Sequence, residues 1–262
     1  MSHLERFTTS ASSPQPIVIA HRGLSWAYPE NTLVSYQAAA DAGADLIELD
    51  YYPTTDDVLV CVHDGVLDRY LGKTASPELR QRPIVSLSWQ ELRGVDVGQW
   101  KDARFTGTRV PCLSEVLERF AGASGPPLLL EQKAGPPEQI LALLRQFDAV
   151  KKVIVQSFDW AYLAQLHALE PNVVLAALGG WGSKPFSSET PREILAIGAR
   201  IVHWRDSIGQ RDIAAAHAAG LPVWIYTLNT ELACRGAQAL GADGIATDRC
   251  DFIRELLRRQ SE

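Results

Sequence analysis

Short apolar runs alternate with longer amphipathic stretches along almost the whole chain. The runs are Ile17 to Ala20, Leu46 to Leu49, Val58 to Val62, Leu128 to Leu130, Val153 to Val155, Val173 to Leu178, Ile201 to His203, Val223 to Leu228 and Gly244 to Ala246. Between them lie segments with helical patterning: Asn31 to Ala42, Pro136 to Phe147, Trp160 to Leu169, Thr190 to Ile197, Ile208 to Ala219, Glu231 to Leu240 and Cys250 to Arg259. Asn31 and Asp159 read as helix N-caps. Strands joined by crossover helices make a parallel sheet. The nine runs are one more than a closed eight-stranded barrel needs. Only Tyr51 to Asp57 separate Asp50 from Val58, which is too short for a parallel crossover, so the second and third runs form an antiparallel hairpin. The pattern therefore predicts one α/β domain over residues 17–262, a TIM barrel. Residues 64–127, rich in Gly, Pro, Trp and charge, exceed ordinary loop length and predict a small insertion or lid after the hairpin. Residues 1–16 are polar and rich in Ser and Thr, and predict a flexible tail rather than a signal peptide.

Composition narrows the class. With 262 residues, 46% of them hydrophobic, the chain can bury a sizeable core. A formal net charge of -6 argues against nucleic acid as the main partner, because such a partner needs a basic face. Cys61, Cys112, Cys234 and Cys250 are widely spaced in mostly apolar surroundings, which supports neither a disulfide framework nor a zinc site and fits a reducing cytoplasm. No apolar run reaches membrane-spanning length, so no stable membrane insertion is expected.

Candidate chemistry collects where the runs end, the face on which such barrels carry their sites. His21 and Arg22 follow the first run, Glu48 and Asp50 belong to the second, and Glu131 and Lys133 follow the fourth. Glu48 and Asp50 are two apart and share a strand face, as do Glu131 and Lys133. Three carboxylates at one barrel mouth repel each other unless a cation joins them, and an all-oxygen donor set suits one hard divalent ion, Mg²⁺ or Ca²⁺. His63 depends on the hairpin. A two-residue loop at Thr55-Asp56 sets it opposite Glu48, one at Asp56-Asp57 sets it opposite Asp50, and a three-residue loop pairs it with Leu49 and turns it away. Each residue alone has an ordinary structural explanation. Two histidines, three acids and two cations together do not, since buried ion pairs contribute little net stability. Trp224 and Tyr226 share a face of the eighth run, and at least one is expected to serve packing.

Ala20-His21-Arg22-Gly23, Pro29-Glu30-Asn31-Thr32, Glu48-Leu49-Asp50, Val62-His63-Asp64, Glu131-Gln132-Lys133, Gln156-Ser157-Phe158 and Asp243 to Asp248 occur in this order. This series resembles the ordered motifs of the glycerophosphodiester phosphodiesterase family, from about Ile17 to about Ile253. The resemblance implies a TIM barrel with a small insertion, Glu48, Asp50 and Glu131 as ligands of a divalent metal, and His21 and His63 in acid/base work, with His21 as base. Arg22 and Lys133 would hold the phosphate. Two departures stand out: Gln132 replaces an aliphatic residue, and Tyr226-Thr227 replaces a Trp-Thr pair that borders the alcohol pocket. The implied reaction is metal-dependent hydrolysis of a small phosphodiester to glycerol 3-phosphate and an alcohol. A lysophospholipase D would use the same site with a greasier groove, for which an exposed patch around Trp89, Trp100 and Phe105 would speak. A non-catalytic phosphate-binding barrel is a third reading, opposed by the complete set of reactive groups.

Overall fold

The apolar runs become strands in a computed structural model that describes residues 4–9, 15–71, 76–122, 125–182 and 185–259. The strands are β1 Ile17–Ala20, β2 Leu46–Pro53, β3 Leu59–Cys61, β4 Leu128–Gln132, β5 Val153–Ser157, β6 Val174–Gly179, β7 Ile201–Arg205, β8 Val223–Tyr226 and β9 Gly244–Thr247. The helices are α1 Leu33–Asp41, α2 Pro77–Gln81, α3 Trp89–Leu92, α4 Leu113–Phe120, α5 Pro137–Gln146, α6 Trp160–Leu169, α7 Thr190–Ala196, α8 Gln210–Ala218, α9 Glu231–Leu240 and α10 Cys250–Arg258. Neighbouring parallel strands run β1-β2-β4-β5-β6-β7-β8-β9, and β9 pairs with β1 to close an eight-stranded barrel. β3 is antiparallel to the far end of β2. The fold is thus the TIM barrel that the pattern predicts.

The strand period of two organises the interior. Ile19, Leu46, Leu129, Ile154, Ala176, Ile201, Trp224 and Ala246, one from each barrel strand, form a buried cluster inside the barrel. A second, larger cluster, including Val18, Leu130, Val155 and Val202, joins the outer strand faces to the helices. Two residues beyond each inner-layer residue stand His21, Glu48, Glu131, Gln156, Leu178, His203, Tyr226 and Asp248. Alternation aims this next layer inward as well, at the carboxyl ends of the strands. The site is therefore one storey of the barrel.

The amino-terminal segment is not a loose tail where it is described. Leu4, just before a 3₁₀ turn at Glu5–Phe7, and Phe7, its last residue, are buried and join the inner cluster. Without them the lower layer would face water, so two apolar side chains suffice to dock an otherwise polar segment. Residues 1–3 and 10–14 lie outside the described residues. Phe7→Ala is expected to destabilise the protein by about 3 kcal/mol in denaturant unfolding, as for other buried Phe truncations; a tail would show no change.

The long connection also divides differently from its sequence reading over 64–127. Its first part builds a small core of its own, in which Val60, Val62, Leu67, Tyr70, Ile84, Leu87 and Leu92 are buried. Its last part, α4, buries Leu113, Val116, Leu117 and Phe120 in the main core and is an ordinary outer helix of the barrel. Trp89 and Trp100 are half-buried against the insertion core, and Phe105 stacks on Tyr28 at 5.3 Å. No exposed aromatic patch forms from these three.

Candidate active site

Three acids converge because β2 and β4 are neighbours in register. Asp50 is paired with Glu131, and Glu48 precedes Asp50 by one full strand period. One oxygen from each of Glu48, Asp50 and Glu131 lies within 4.8 Å of the others, and all three residues are buried. Burial, then Asp50 and Glu131, push the Glu48 carboxyl well above the usual range. Burial and Asp50 push Glu131 up to about 7. Asp50 goes the other way: burial opposes ionisation, but Lys133 and Arg22 hold its carboxyl below the ordinary value. Carboxylates that cannot all ionise comfortably form a site short of positive charge.

The cations are built in. Lys133 Nζ stands 3.0 Å from Asp50 Oδ1 and also pairs with Glu131. Arg22 Nε is 3.3 Å from Asp50 Oδ2, and its Nη1 donates to Glu30 Oε1 at 3.0 Å. Glu30 is held in turn by Arg69. The Arg22 backbone N–H donates to Glu48 Oε2 at 2.8 Å. Arg22 adopts φ +57°, and Gly23 follows at +84°, where an added Cβ would fall 2.4 Å from Ser35 Oγ. Only glycine fits there, so the turn that presents Arg22 depends on it.

Asn31 is not the helix cap it was expected to be. Thr32 caps α1, accepting from the Ser35 N–H. The Asn31 amide instead donates to Asp50 Oδ2 at 2.8 Å and accepts from the Asp50 backbone N–H at 3.1 Å and from the Tyr36 hydroxyl at 3.0 Å. It clamps a site carboxylate, a role invisible in a local capping signature. Asp159 does cap its helix, α6, as expected.

The two histidines have matching supports. His21 Nδ1 is 2.6 Å from Asp248 Oδ1, and Asp248 also accepts from Ser25 Oγ at 3.1 Å and Asn229 Nδ2 at 2.6 Å. Although burial raises it, the hydrogen bond from His21 brings the Asp248 carboxyl down to about 2, so it is ionised. His63 Nδ1 is 2.7 Å from Asp64 Oδ1, and Arg69 Nε donates to Asp64 Oδ2 at 2.8 Å. Burial lowers the His63 pKa against the pull of Asp50. An aspartate on Nδ1 makes that nitrogen the donor and leaves Nε2 as the reactive one.

His63 reaches the site by a different route from the two-residue loops considered above. Tyr51 pairs with Cys61, Tyr52 with Val60 and Pro53 with Leu59. This register closes on a three-residue loop, Thr55 to Asp57, with Asp57 at φ +60° and Thr54 N–H donating to the Val58 carbonyl. Continued, it would set His63 against Leu49 on the wrong face. The ladder stops at Cys61, and the chain bends away over Val62 to Asp64. Release from the sheet, not strand register, delivers His63.

His21, Arg22, Glu48, His63, Glu131 and Lys133 line a cavity of about 580 Å³ at the barrel mouth, together with Phe158, Trp181, Arg205, Asp206 and Tyr226. Tyr226 presents its ring, while its hydroxyl donates to the Gly179 carbonyl at 2.6 Å. Trp224 lies one layer down as packing. Gln132 turns outward, where its Oε1 accepts from Ser157 at 2.8 Å, so this departure from the family pattern does not alter the mouth. The sequence reading quoted Gln156 and Asp248 within motifs and His203 at the end of a run but gave none of the three a role in the site. Counting two residues up from the inner apolar layer on every strand places all three in the site.

A family model described as the glycerophosphoryl diester phosphodiesterase family matches residues 21–252. YhdW of Bacillus subtilis (strain 168) is 32% identical over 243 residues, covering 90% of this chain and 96% of that one. The glycerophosphodiester phosphodiesterase of the same organism is 28% identical over 269 residues, covering 93% and 87%. The crystal structure of a glycerophosphodiester phosphodiesterase from Agrobacterium tumefaciens superposes with a TM-score of 0.77 at 27% identity, covering 92% of this chain and 100% of that one. With its barrel, its site storey and these likenesses in agreement, the chain belongs to the glycerophosphoryl diester phosphodiesterase family.

Proposed function

We propose that the protein hydrolyses small glycerophosphodiesters to glycerol 3-phosphate and an alcohol, using one divalent cation, Mg²⁺ or Ca²⁺. One observation carries the reading: two aspartate-oriented histidines, a buried carboxylate triad and two cationic side chains share one cavity. Glu48, Asp50 and Glu131 fit a hard cation, because their oxygens converge within 4.8 Å and burial with mutual repulsion holds Glu48 and Glu131 above the ordinary carboxylate range. Such an ion, when bound, neutralises charge building on the phosphate. Arg22 and Lys133 orient the phosphate by charge-assisted hydrogen bonds. His21, its Nδ1 anchored on Asp248, takes the proton of the nucleophile at Nε2. His63, its Nδ1 anchored on Asp64, gives a proton to the leaving alkoxide, which is too basic to depart unaided. Tyr226 walls the alcohol pocket. Among the described residues no helix is long and apolar enough to cross a membrane.

The lysophospholipase D reading needs an acyl groove, and Trp89, Trp100 and Phe105 are packed rather than exposed, which favours the small diester. The test is alcohol release from glycerophosphodiesters and lysophospholipids, with and without chelator. Turnover of the former, abolished by chelator and restored by Mg²⁺ or Ca²⁺, is expected. Activity that resists the chelator, or a preference for the lysophospholipids, would overturn this assignment.

A further inference from the structure

His203 is the one member of the site storey with a free acceptor in the protein interior. It stands on β7 two residues beyond Ile201, is 2% exposed and lines the cavity. Its Nδ1 lies 2.7 Å from Gln156 Oε1, while its Nε2 is buried without a hydrogen-bond partner. The tautomer follows from the neighbours of Gln156. The Gln156 amide nitrogen faces Glu48 Oε1 at 3.4 Å and Glu131 Oε2 at 3.5 Å, both acceptors. The opposite flip would set an amide oxygen against two carboxylates. Gln156 Oε1 therefore accepts from His203, Nδ1 carries the hydrogen, and Nε2 is a bare lone pair. Burial, and then the charge of His21, push this imidazole down to about 3, so it stays neutral.

We propose that His203 Nε2 accepts a hydrogen bond from a free hydroxyl of the substrate's glycerol half, which makes His203 a specificity-determining residue. The inference rests on the glycerophosphodiester reading above. A buried neutral acceptor answers a neutral donor, and glycerol carries hydroxyls where the phosphate carries none. The rings of Trp224 and Tyr226 stand edge-on to His203, at 5.7 and 5.1 Å between centroids, so its imidazole is held between Trp224 as packing and Tyr226 at the cavity wall. Phe158 and Trp181 also line the cavity and are 42% and 62% exposed. Exposed rings suit an alcohol of varying size, and the buried His203 acceptor suits the constant glycerol. A site built to satisfy a hydroxyl rejects an analogue that lacks it, because its buried partner is then left unpaired.

The test compares a glycerophosphodiester with its two monodeoxy analogues bearing the same leaving alcohol, using the wild type and His203→Phe with the divalent cation present. Phenylalanine keeps a ring between Trp224 and Tyr226 and removes the acceptor. Expected is a loss of about 10- to 100-fold in kcat/KM on the glycerol compound, with activity on one deoxy analogue nearly unchanged. Equal losses on all three substrates, or undiminished discrimination, would overturn the proposal. A second readout needs no variant. In protein labelled with nitrogen-15 at histidine, one Nε2 resonance should remain that of an unprotonated nitrogen down to pH 5 and should move when glycerol 3-phosphate is added. A His203 protonated at Nε2, or indifferent to that ligand, counts against the assignment. A wild type that hydrolyses none of the three diesters sinks the parent reading, and the nitrogen resonances still decide the role of His203.

Discussion

His21→Ala is expected to lower kcat/KM for a glycerophosphodiester by about 1,000-fold or more, within the range of positioned acid/base groups. The residue sits just past β1 and is only part-buried, so its removal leaves the inner apolar layer intact, and thermal unfolding should stay close to that of the wild type. Two comparisons separate chemistry from packing. Asp248→Asn keeps a hydrogen-bonding side chain beside Ser25 and Asn229 but no longer requires the hydrogen on His21 Nδ1. It should lose a smaller factor, about 10- to 100-fold, and mainly in kcat. Added imidazole should restore part of the His21→Ala activity and none of the Asp248→Asn deficit. Steady-state kinetics decides the matter, and a His21→Ala enzyme within about 10-fold of wild type would remove His21 from proton transfer.

Glu131→Gln should abolish activity and, in the absence of divalent ions, make the protein more stable. The sign follows from the carboxyl held at about 7 in the folded chain, against an ordinary value of 4.5. Between those values the folded state holds a proton that the unfolded state has released, so stability falls as pH rises through the window and stays lower above it. Glutamine carries no charge and escapes that loss. The unfolding temperature of the metal-free variant should therefore exceed that of metal-free wild type at pH 8, and the gap should narrow toward pH 5. Saturating Mg²⁺ or Ca²⁺ reverses the order, because an ion that binds only the folded wild type adds stability by mass action. Removing a direct ligand should weaken ion binding by at least about 100-fold, the upper end of what losing an outer partner costs. Calorimetric unfolding with and without the ion reads both effects. A variant less stable than wild type at pH 8 without ions would show that repulsion among the three acids is not the governing energy.

Strand order and the site storey were legible because both depend on periodicity. Alternation puts Glu48 with Asp50, and Glu131 with Lys133, on common faces whatever the rest of the chain does. The hairpin shows the limit. Its loop length came from Thr54, whose hydroxyl accepts the Val58 N–H at 3.0 Å and donates to Asp56, leaving three loop residues. A motif reader would place His63 correctly for the wrong reason. Asn31 shows a different limit, since a residue before a helix reads as a cap until its amide is seen to reach Asp50 from the next strand.

The amino-acid sequence by itself determined the barrel, its carboxyl-end chemistry, the carboxylate triad and the two histidines. These follow from side-chain identity and a period of two, which act over a few residues. Only the tertiary structure decided what each reactive group touches. His21 meets an aspartate 227 positions away, Gln156 bridges the acids to His203, and Leu4 and Phe7 close the barrel floor. Such partners are chosen by barrel closure and by the need to satisfy buried polar atoms, and neither condition exists until distant strands have met.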